Sequence, residues 1–356
     1  ICLSATFRHP RFGESTGYDY GRVANPTRES LEKTVALLER GGRSWALSSG
    51  MAAVQLVFSL LSAGDHVLMS EDLYGGTVRL AEEVFTGYGV TFEYVDVRDL
   101  ALIGKRMRSE TKLVFIETPS NPMMQIADIA ALSALAHENG ALLAVDNTFL
   151  SPHFQKPLTL GADIVLHSGT KYLCGHNDVI AGFLVLKDAT SAQAKRIELL
   201  AKSAGPNLSA LDSWLMLRSI KTLGVRVERQ AENALAIARW LGTLPEVTEV
   251  LYPGLADHPG YALQQKQASG AGGMISFKVR SAEIAKAALG RLHLIAFAES
   301  LGGVETLLTY PIAQTHAEMP AALLKRTGLD DKLLRLSVGI EDVEDLKADL
   351  QQALQG

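Results

Sequence analysis

From about residue 44 to residue 190 the chain alternates short apolar runs with longer amphipathic ones, and no other feature restricts its fold as much. Asp65 to Met69, Thr91 to Asp96, Lys112 to Ile116, Ala141 to Val145, Asp163 to His167 and Ala181 to Leu186 have the length and content of strands. Met51 to Ser62, Gly76 to Thr86 and Ile129 to Asn139 recur between them with helical spacing. Strand and helix in alternation predict a mostly parallel sheet covered by helices on both faces. In such a sheet, ligands collect beyond the carboxyl ends of the strands, so chemistry is to be sought there.

At 356 residues the chain is too long for one small core, and two domains are expected. A helical stretch from about Leu208 to Leu241 follows Gly205-Pro206 and Asn207, and beyond it the pattern changes. Gly272 to Val279, Leu294 to Ala298 and Leu333 to Val338 read as strands, Ala282 to Leu289 and Val343 to Leu354 as helices. This predicts an N-terminal arm over 1–25, a large domain over 26–215 and a smaller α+β domain over 216–356. The arm is irregular and rich in Arg, Gly and aromatic residues, as expected of a segment that docks on another subunit.

Composition narrows the function. Hydrophobic content of 47% and charged content of 21% suit an ordinary globular enzyme. A net charge of −5 argues against nucleic acid as a partner. No apolar run approaches the ~20 residues of a membrane span. Cys2 and Cys174 offer no disulfide framework, which fits a reducing compartment, and the cytoplasm is the expected location. The chain begins at Ile1 rather than a methionine, as expected of a numbering that starts inside a longer protein.

Two of the strand ends carry complementary chemistry. Asp163-Ile-Val-Leu-His-Ser168 runs into Gly169-Thr170-Lys171, and Ala141-Leu-Leu-Ala-Val ends at Asp146. A lysine and an acid on neighbouring strands are what pyridoxal phosphate (PLP) requires. The amine binds the aldehyde as a Schiff base, and the acid keeps the ring nitrogen protonated. Ser49-Gly50-Met51 opens a helix after an apolar run, a place where free N–H groups bind phosphate. Ser168 and Thr170 stand close enough to Lys171 to share that phosphate. Tyr74 follows a strand and can stack on a ring, and Asn121, in Glu117-Thr-Pro-Ser-Asn-Pro122, can reach a ring oxygen. Each has a plain alternative: a surface lysine, a Ser N-cap, a tyrosine in a glycine turn, a proline-bounded loop. Their convergence on one sheet edge is what favours a cofactor site. His167, Cys174 and His176 fit no zinc pattern, so no metal is expected.

These residues resemble the trans-sulfuration family, the fold-type-I PLP enzymes of cysteine and methionine metabolism. The resemblance runs through Tyr20-Gly-Arg22-Val-Ala-Asn-Pro-Thr-Arg28, Ser49-Gly-Met-Ala-Ala53, Tyr74-Gly-Gly-Thr77, Asp146-Asn-Thr-Phe149, Ser168-Gly-Thr-Lys-Tyr172, Glu299-Ser-Leu-Gly-Gly-Val-Glu-Thr306 and Leu334-Arg-Leu-Ser-Val-Gly339. It implies a seven-stranded sheet domain with a smaller C-terminal domain, and Lys171 as the Schiff-base lysine and proton shuttle. Asp146 would pair with the ring nitrogen, and Tyr74 would stack and help to deprotonate the incoming amine. Gly50, Met51, Ser168 and Thr170 would hold the phosphate, and Asn121 would lie near the ring hydroxyl. Arg335 would clamp the substrate carboxylate, and Ser300 and Thr315 would line the pocket. Tyr20 and Arg22 would reach the phosphate of a neighbouring subunit, in a homotetramer built as a dimer of dimers. Gly169, where many relatives have alanine, and Cys174, at a position often glycine, depart from the family pattern.

The family divides into synthases and lyases over one chemistry. Acidic residues at Asp19 and Glu299 resemble members that handle cystathionine by γ-chemistry. Gly75-Gly76 follow Tyr74 where methionine γ-lyases have a cysteine, and Tyr310-Pro-Ile-Ala-Gln-Thr315-His316 looks like the bacterial cystathionine γ-synthase and O-acetylhomoserine thiol-lyase type. The expectation is γ-replacement on an O-acylated homoserine, with cystathionine γ-lyase as the alternative. A PLP-binding regulator without catalysis would be expected to lack Lys171, Tyr74 or Arg335. The acyl group, acetyl or succinyl, and the nucleophile, cysteine or sulfide, stay open.

Overall fold

Seven strands form the larger sheet of the computed structural model, which describes residues 1–355. They are β1 (Arg43–Leu47), β2 (His66–Ser70), β3 (Thr91–Val95), β4 (Thr111–Glu117), β5 (Leu142–Asp146), β6 (Ile164–Ser168) and β7 (Gly182–Leu186), in the order β1-β7-β6-β5-β4-β2-β3. Strands β3, β2, β4, β5 and β6 run parallel. Strand β7 is antiparallel to both β6 and β1. The inner parallel strands β2, β4, β5 and β6 are mostly apolar because both faces are covered, whereas the edge strand β3 keeps an exposed Thr91 and a half-buried Glu93. On β4, Val114 and Ile116 enter one apolar cluster while Leu113 and Phe115 enter the other, one on each face.

The second sheet holds β8 (Val247–Leu251), β9 (Met274–Val279), β10 (Ala296–Phe297), β11 (Leu307–Thr309) and β12 (Leu333–Ser337), ordered β10-β11-β12-β9-β8. It has its own core of Ile275, Phe277, Leu334, Leu336, Leu346 and Leu350, with helices Leu223–Leu241 and Val343–Gln355 packed against it. Of these strands, β8 and β11 have no counterpart in the sequence reading. Among the described residues no helix is long and apolar enough to cross a membrane.

The single helix expected over Leu208–Leu241 is two, Ala210–Ile220 and Leu223–Leu241. At the break the Thr222 hydroxyl donates to Ser219 O at 3.0 Å and accepts from Arg226 Nε at 3.0 Å, so side chains take over bonds a continuous helix would make. Residue 215 lies within the first of the two. The helix expected over Gly76–Thr86 starts as Gly75–Leu80, widens to a π-turn over Ala81–Phe85 and tightens at Thr86–Tyr88.

Candidate active site

Strand β1 runs the same way as β6, since both oppose β7. The carboxyl ends of β1, β2, β4, β5 and β6 therefore share one edge. From β1 the chain turns into helix Gly50–Phe58, capped by Ser49 Oγ accepting from Ala52 N at 3.1 Å. Only glycine fits at two places beneath this turn. A Cβ on Gly50 would stand 2.9 Å from Ser168 Cβ, and one on Gly182 would stand 1.9 Å from Ser49 O. The helix start is thereby seated on the ends of β6 and β7.

A cavity of about 340 Å³ opens at this edge. Gly50, Met51, Tyr74, Asn121, Asp146, Ser168, Thr170 and Lys171 line it from the larger sheet, and Glu299, Ser300, Thr315 and Arg335 from the C-terminal part. Three residues named for the site do not line this cavity, and for Tyr20 and Arg22 the expectation is the site of a neighbouring subunit. Asp19 bonds Ser15 Oγ at 2.5 Å on the exposed arm, and Arg22 lies over the Tyr20 ring at 5.6 Å and donates to the Lys202 carbonyl. Glu117, Thr148 and Ile180 also line the cavity, with no role foreseen. Asp-x-Thr at residues 146–148 was the available signal for Thr148, since that spacing makes an Asx-type turn.

Lys171 Nζ donates to Ser300 Oγ at 2.9 Å. Burial and the Arg335 charge push its pKa down to about 8, against the pull of Glu299. Asp146 accepts from Thr148 N at 3.0 Å and Thr148 Oγ1 at 2.5 Å, both on Oδ1, which leaves Oδ2 for another donor. Burial raises its pKa, opposed by the Thr148 bonds and the His167 charge. Arg335 is 2% exposed, and burial brings its pKa down to about 10. Its Nη1 donates to Asn121 Oδ1 at 2.8 Å, while Nε is buried without a partner. Asn121 thus turns its oxygen to Arg335 and keeps its amide N–H for the cavity. Glu117 Oε2 accepts from Tyr74 N at 3.1 Å and fixes the backbone of that tyrosine. Burial first, then the Asp146 charge, holds the Glu117 carboxyl well above the usual range.

The donor set fits PLP. The partly buried Lys171 amine suits an aldehyde, and the free Oδ2 of partly buried Asp146 suits a protonated ring nitrogen. The Gly50 cradle leaves the first N–H groups of a helix of nine residues open to a phosphate beside Ser168. His167, Cys174 and His176 do not converge. His167 Nε2 lies 2.6 Å from Glu39 Oε1, Cys174 Sγ donates to Asp178 and His176 bonds the Cys174 carbonyl.

Comparison with known proteins agrees with this chemistry. The family model described as Cys/Met metabolism PLP-dependent enzyme matches residues 1–355. A cystathionine β-lyase of Bacillus subtilis (strain 168) is 46% identical over 351 residues, covering 99% of this chain and 90% of that protein. A cystathionine γ-synthase/O-acetylhomoserine (thiol)-lyase of the same strain is 46% identical over 354 residues, covering 99% and 90%. The crystal structure of cystathionine γ-lyase from Lactobacillus plantarum complexed with L-serine superposes with a TM-score of 0.95 at 42% identity, over 99% of this chain and 91% of that one.

Proposed function

The chain belongs to the Cys/Met metabolism PLP-dependent enzymes, and on that premise we propose that it catalyses γ-replacement on an O-acyl-L-homoserine. The nucleophile is cysteine, giving L-cystathionine, or sulfide, giving homocysteine. The cofactor is PLP and the substrates are small amino acids. Relatives carry the names of synthases and of both lyases, so the choice of reaction rests on the cavity itself.

The observation that carries it is Glu299 in the same cavity as Lys171 and Arg335. Arg335 presents a planar fork for one α-carboxylate. Glu299 adds a carboxylate suited to the ammonium of a second amino acid, which a replacement by cysteine has to hold beside the first. When bound, PLP supplies an electron sink for charge developing on substrate carbons. Lys171 would hold its aldehyde carbon, Asp146 Oδ2 its ring nitrogen, and the Gly50 and Met51 N–H groups with the Ser168 and Thr170 hydroxyls its phosphate. Asn121 would face the ring hydroxyl, and Tyr74 would cover the ring. With a pKa of about 8, Lys171 Nζ can accept and return a proton near neutral pH. Ser300 Oγ, which accepts from Nζ at 2.9 Å, orients that transfer.

Tyr20, Arg22 and Asp19 act in this reading on the site of a second copy, within a homotetramer. The arm, large domain and small domain divide the chain as 1–25, 26–215 and 216–356. Free Cys2 and Cys174 support a reducing, cytoplasmic setting.

Purified enzyme is to be assayed with acetyl- and succinyl-homoserine, each with cysteine and with sulfide, and with cystathionine alone. Condensation should outpace release of 2-oxobutanoate. Fast release of 2-oxobutanoate from cystathionine without condensation makes the enzyme a cystathionine γ-lyase instead.

A further inference from the structure

His316 is 1% exposed and joins loops from the two halves of the site. Its Nε2 lies 3.0 Å from Asn121 O, and its Nδ1 lies 2.8 Å from Thr315 Oγ1. A carbonyl oxygen only accepts, so Nε2 carries hydrogen. Burial, with the Arg335 charge beside it, pushes the ring's pKa down to about 4, and the Asn121 and Leu73 carbonyls only partly offset this. The ring is therefore neutral at working pH. A neutral imidazole with hydrogen on Nε2 has a bare lone pair on Nδ1, an assignment that follows from its partners. Thr315 must give its one hydroxyl hydrogen to that lone pair.

What Thr315 Oγ1 has left is acceptor capacity, and Thr315 lines the cavity with Tyr74, Glu299 and Ser300. Its backbone is fixed as well. A Cβ on Gly75 would stand 2.4 Å from Thr315 O, so this loop is seated against the turn that carries Tyr74. An oxygen confined to accepting attracts an ammonium and repels a carboxylate. The α-amino group of the first substrate is engaged by the cofactor, which leaves the ammonium of the second amino acid.

We propose that Thr315 Oγ1, held as an obligate acceptor by His316, recognises the free ammonium of the second amino acid, with Glu299 supplying the opposite charge. The inference rests on the γ-chemistry proposed above for this cavity. Thr315 touches the substrate; His316 is a positioning residue.

The test uses the PLP-loaded enzyme and the absorbance change of its cofactor on rapid mixing. The two ligands are L-cystathionine and S-(2-carboxyethyl)-L-homocysteine, which lacks only the amino group of the cysteine moiety. Wild type should reach half-saturation at a lower concentration of cystathionine. Thr315→Val should cut that preference about tenfold or more, the range expected for losing a hydrogen bond to a charged group, and Thr315→Ser should keep it. The His316 variants separate positioning from scaffolding. His316→Asn offers an oxygen near the place of Nδ1 and should keep the preference. His316→Gln offers an amide near the place of Nε2, keeps the Asn121 bond and should lose it. An unchanged preference in Thr315→Val, or the reverse order of the two His316 variants, overturns the proposal. Equal response of wild type to both ligands also overturns it, while the γ-chemistry stands. No response to either ligand removes the γ-chemistry itself.

Discussion

At the scale of single residues, Lys171 has the most consequential environment in the cavity. Burial and Arg335 favour its neutral form, Glu299 its charged form, and the balance is a pKa of about 8 against an ordinary 10.5. Only the neutral amine attacks an aldehyde, so protonation below about 8 withholds it. Capture of PLP by the apoenzyme should accelerate as pH rises through about 8 and level off above. Glu299→Gln removes the group that favours the cation, so its midpoint should fall lower still. Stopped-flow absorbance across pH 6 to 11 reads both, and a midpoint near 10.5 would show that the amine is not desolvated. Lys171, Asp146 and Tyr74 were legible in the sequence because each lies at the carboxyl end of a strand or within four residues of it, where position alone implies the sheet edge. Arg335 and Glu299 were legible only through family resemblance, since no local pattern links β12 or the stretch after β10 to that edge. Glu117 was quoted in a motif, yet its bond to Tyr74 N spans 43 residues and leaves no local trace. His316 escaped for the same reason, its partner Asn121 lying 195 residues away.

At the scale of elements, β6 and the turn after it show how a local departure from the family is absorbed. Gly169 follows β6, and a Cβ there would stand 2.6 Å from Phe183 Cε2 and 3.1 Å from Ala181 Cβ. Phe183 is fully buried on β7 and cannot swing into solvent. Gly169→Ala, which restores the commoner family residue, should therefore destabilise this chain by about 1–3 kcal/mol, the usual effect of overpacking. Pairing it with Phe183→Leu should recover part of that loss. Urea unfolding of the single and double variants decides it, and an alanine variant as stable as wild type means that the ring moves freely. The elements that sequence located best are the buried parallel strands, where an apolar run leaves little ambiguity. Helix Pro26–Leu38 went unread although Asn25 caps it, its side chain accepting from Thr27 N and Arg28 N. Helix Ala192–Ala204 went unread as well; the first buries only Leu31, Val35 and Ala36 besides Arg28, and the second only Ala194, Ile197 and Ala201, so their apolar stripes are narrow. The antiparallel setting of β7 left no mark in its composition, because a strand buried on both faces looks alike in either direction.

At the scale of the whole molecule, the arm is the part that a single chain does not explain. Its apolar groups find little cover: Phe12 is fully exposed, Leu3 is 72% exposed and Tyr20 is 48% exposed. Such a surface on a segment without a core is suited to burial against a second copy. Arg28 holds the arm's end in a defined place, donating to the carbonyls of Gly21, Arg22 and Val23 at 3.1, 3.3 and 3.2 Å. Tyr20 and Arg22 are therefore presented from a fixed base, away from the cavity of their own chain. If they complete a neighbour's phosphate site, Arg22→Ala and Lys171→Ala each inactivate a different half of a shared site. Mixed and reassembled, the two inactive variants should regain activity. A hybrid pair holds one site with both defects and one with neither, so up to about half of the wild-type activity per hybrid returns if the sites act independently. Differently tagged variants, purified through both tags, ensure that only hybrids are assayed. Verified hybrids without activity, or a fully active monomer, would return the arm to a role within its own chain.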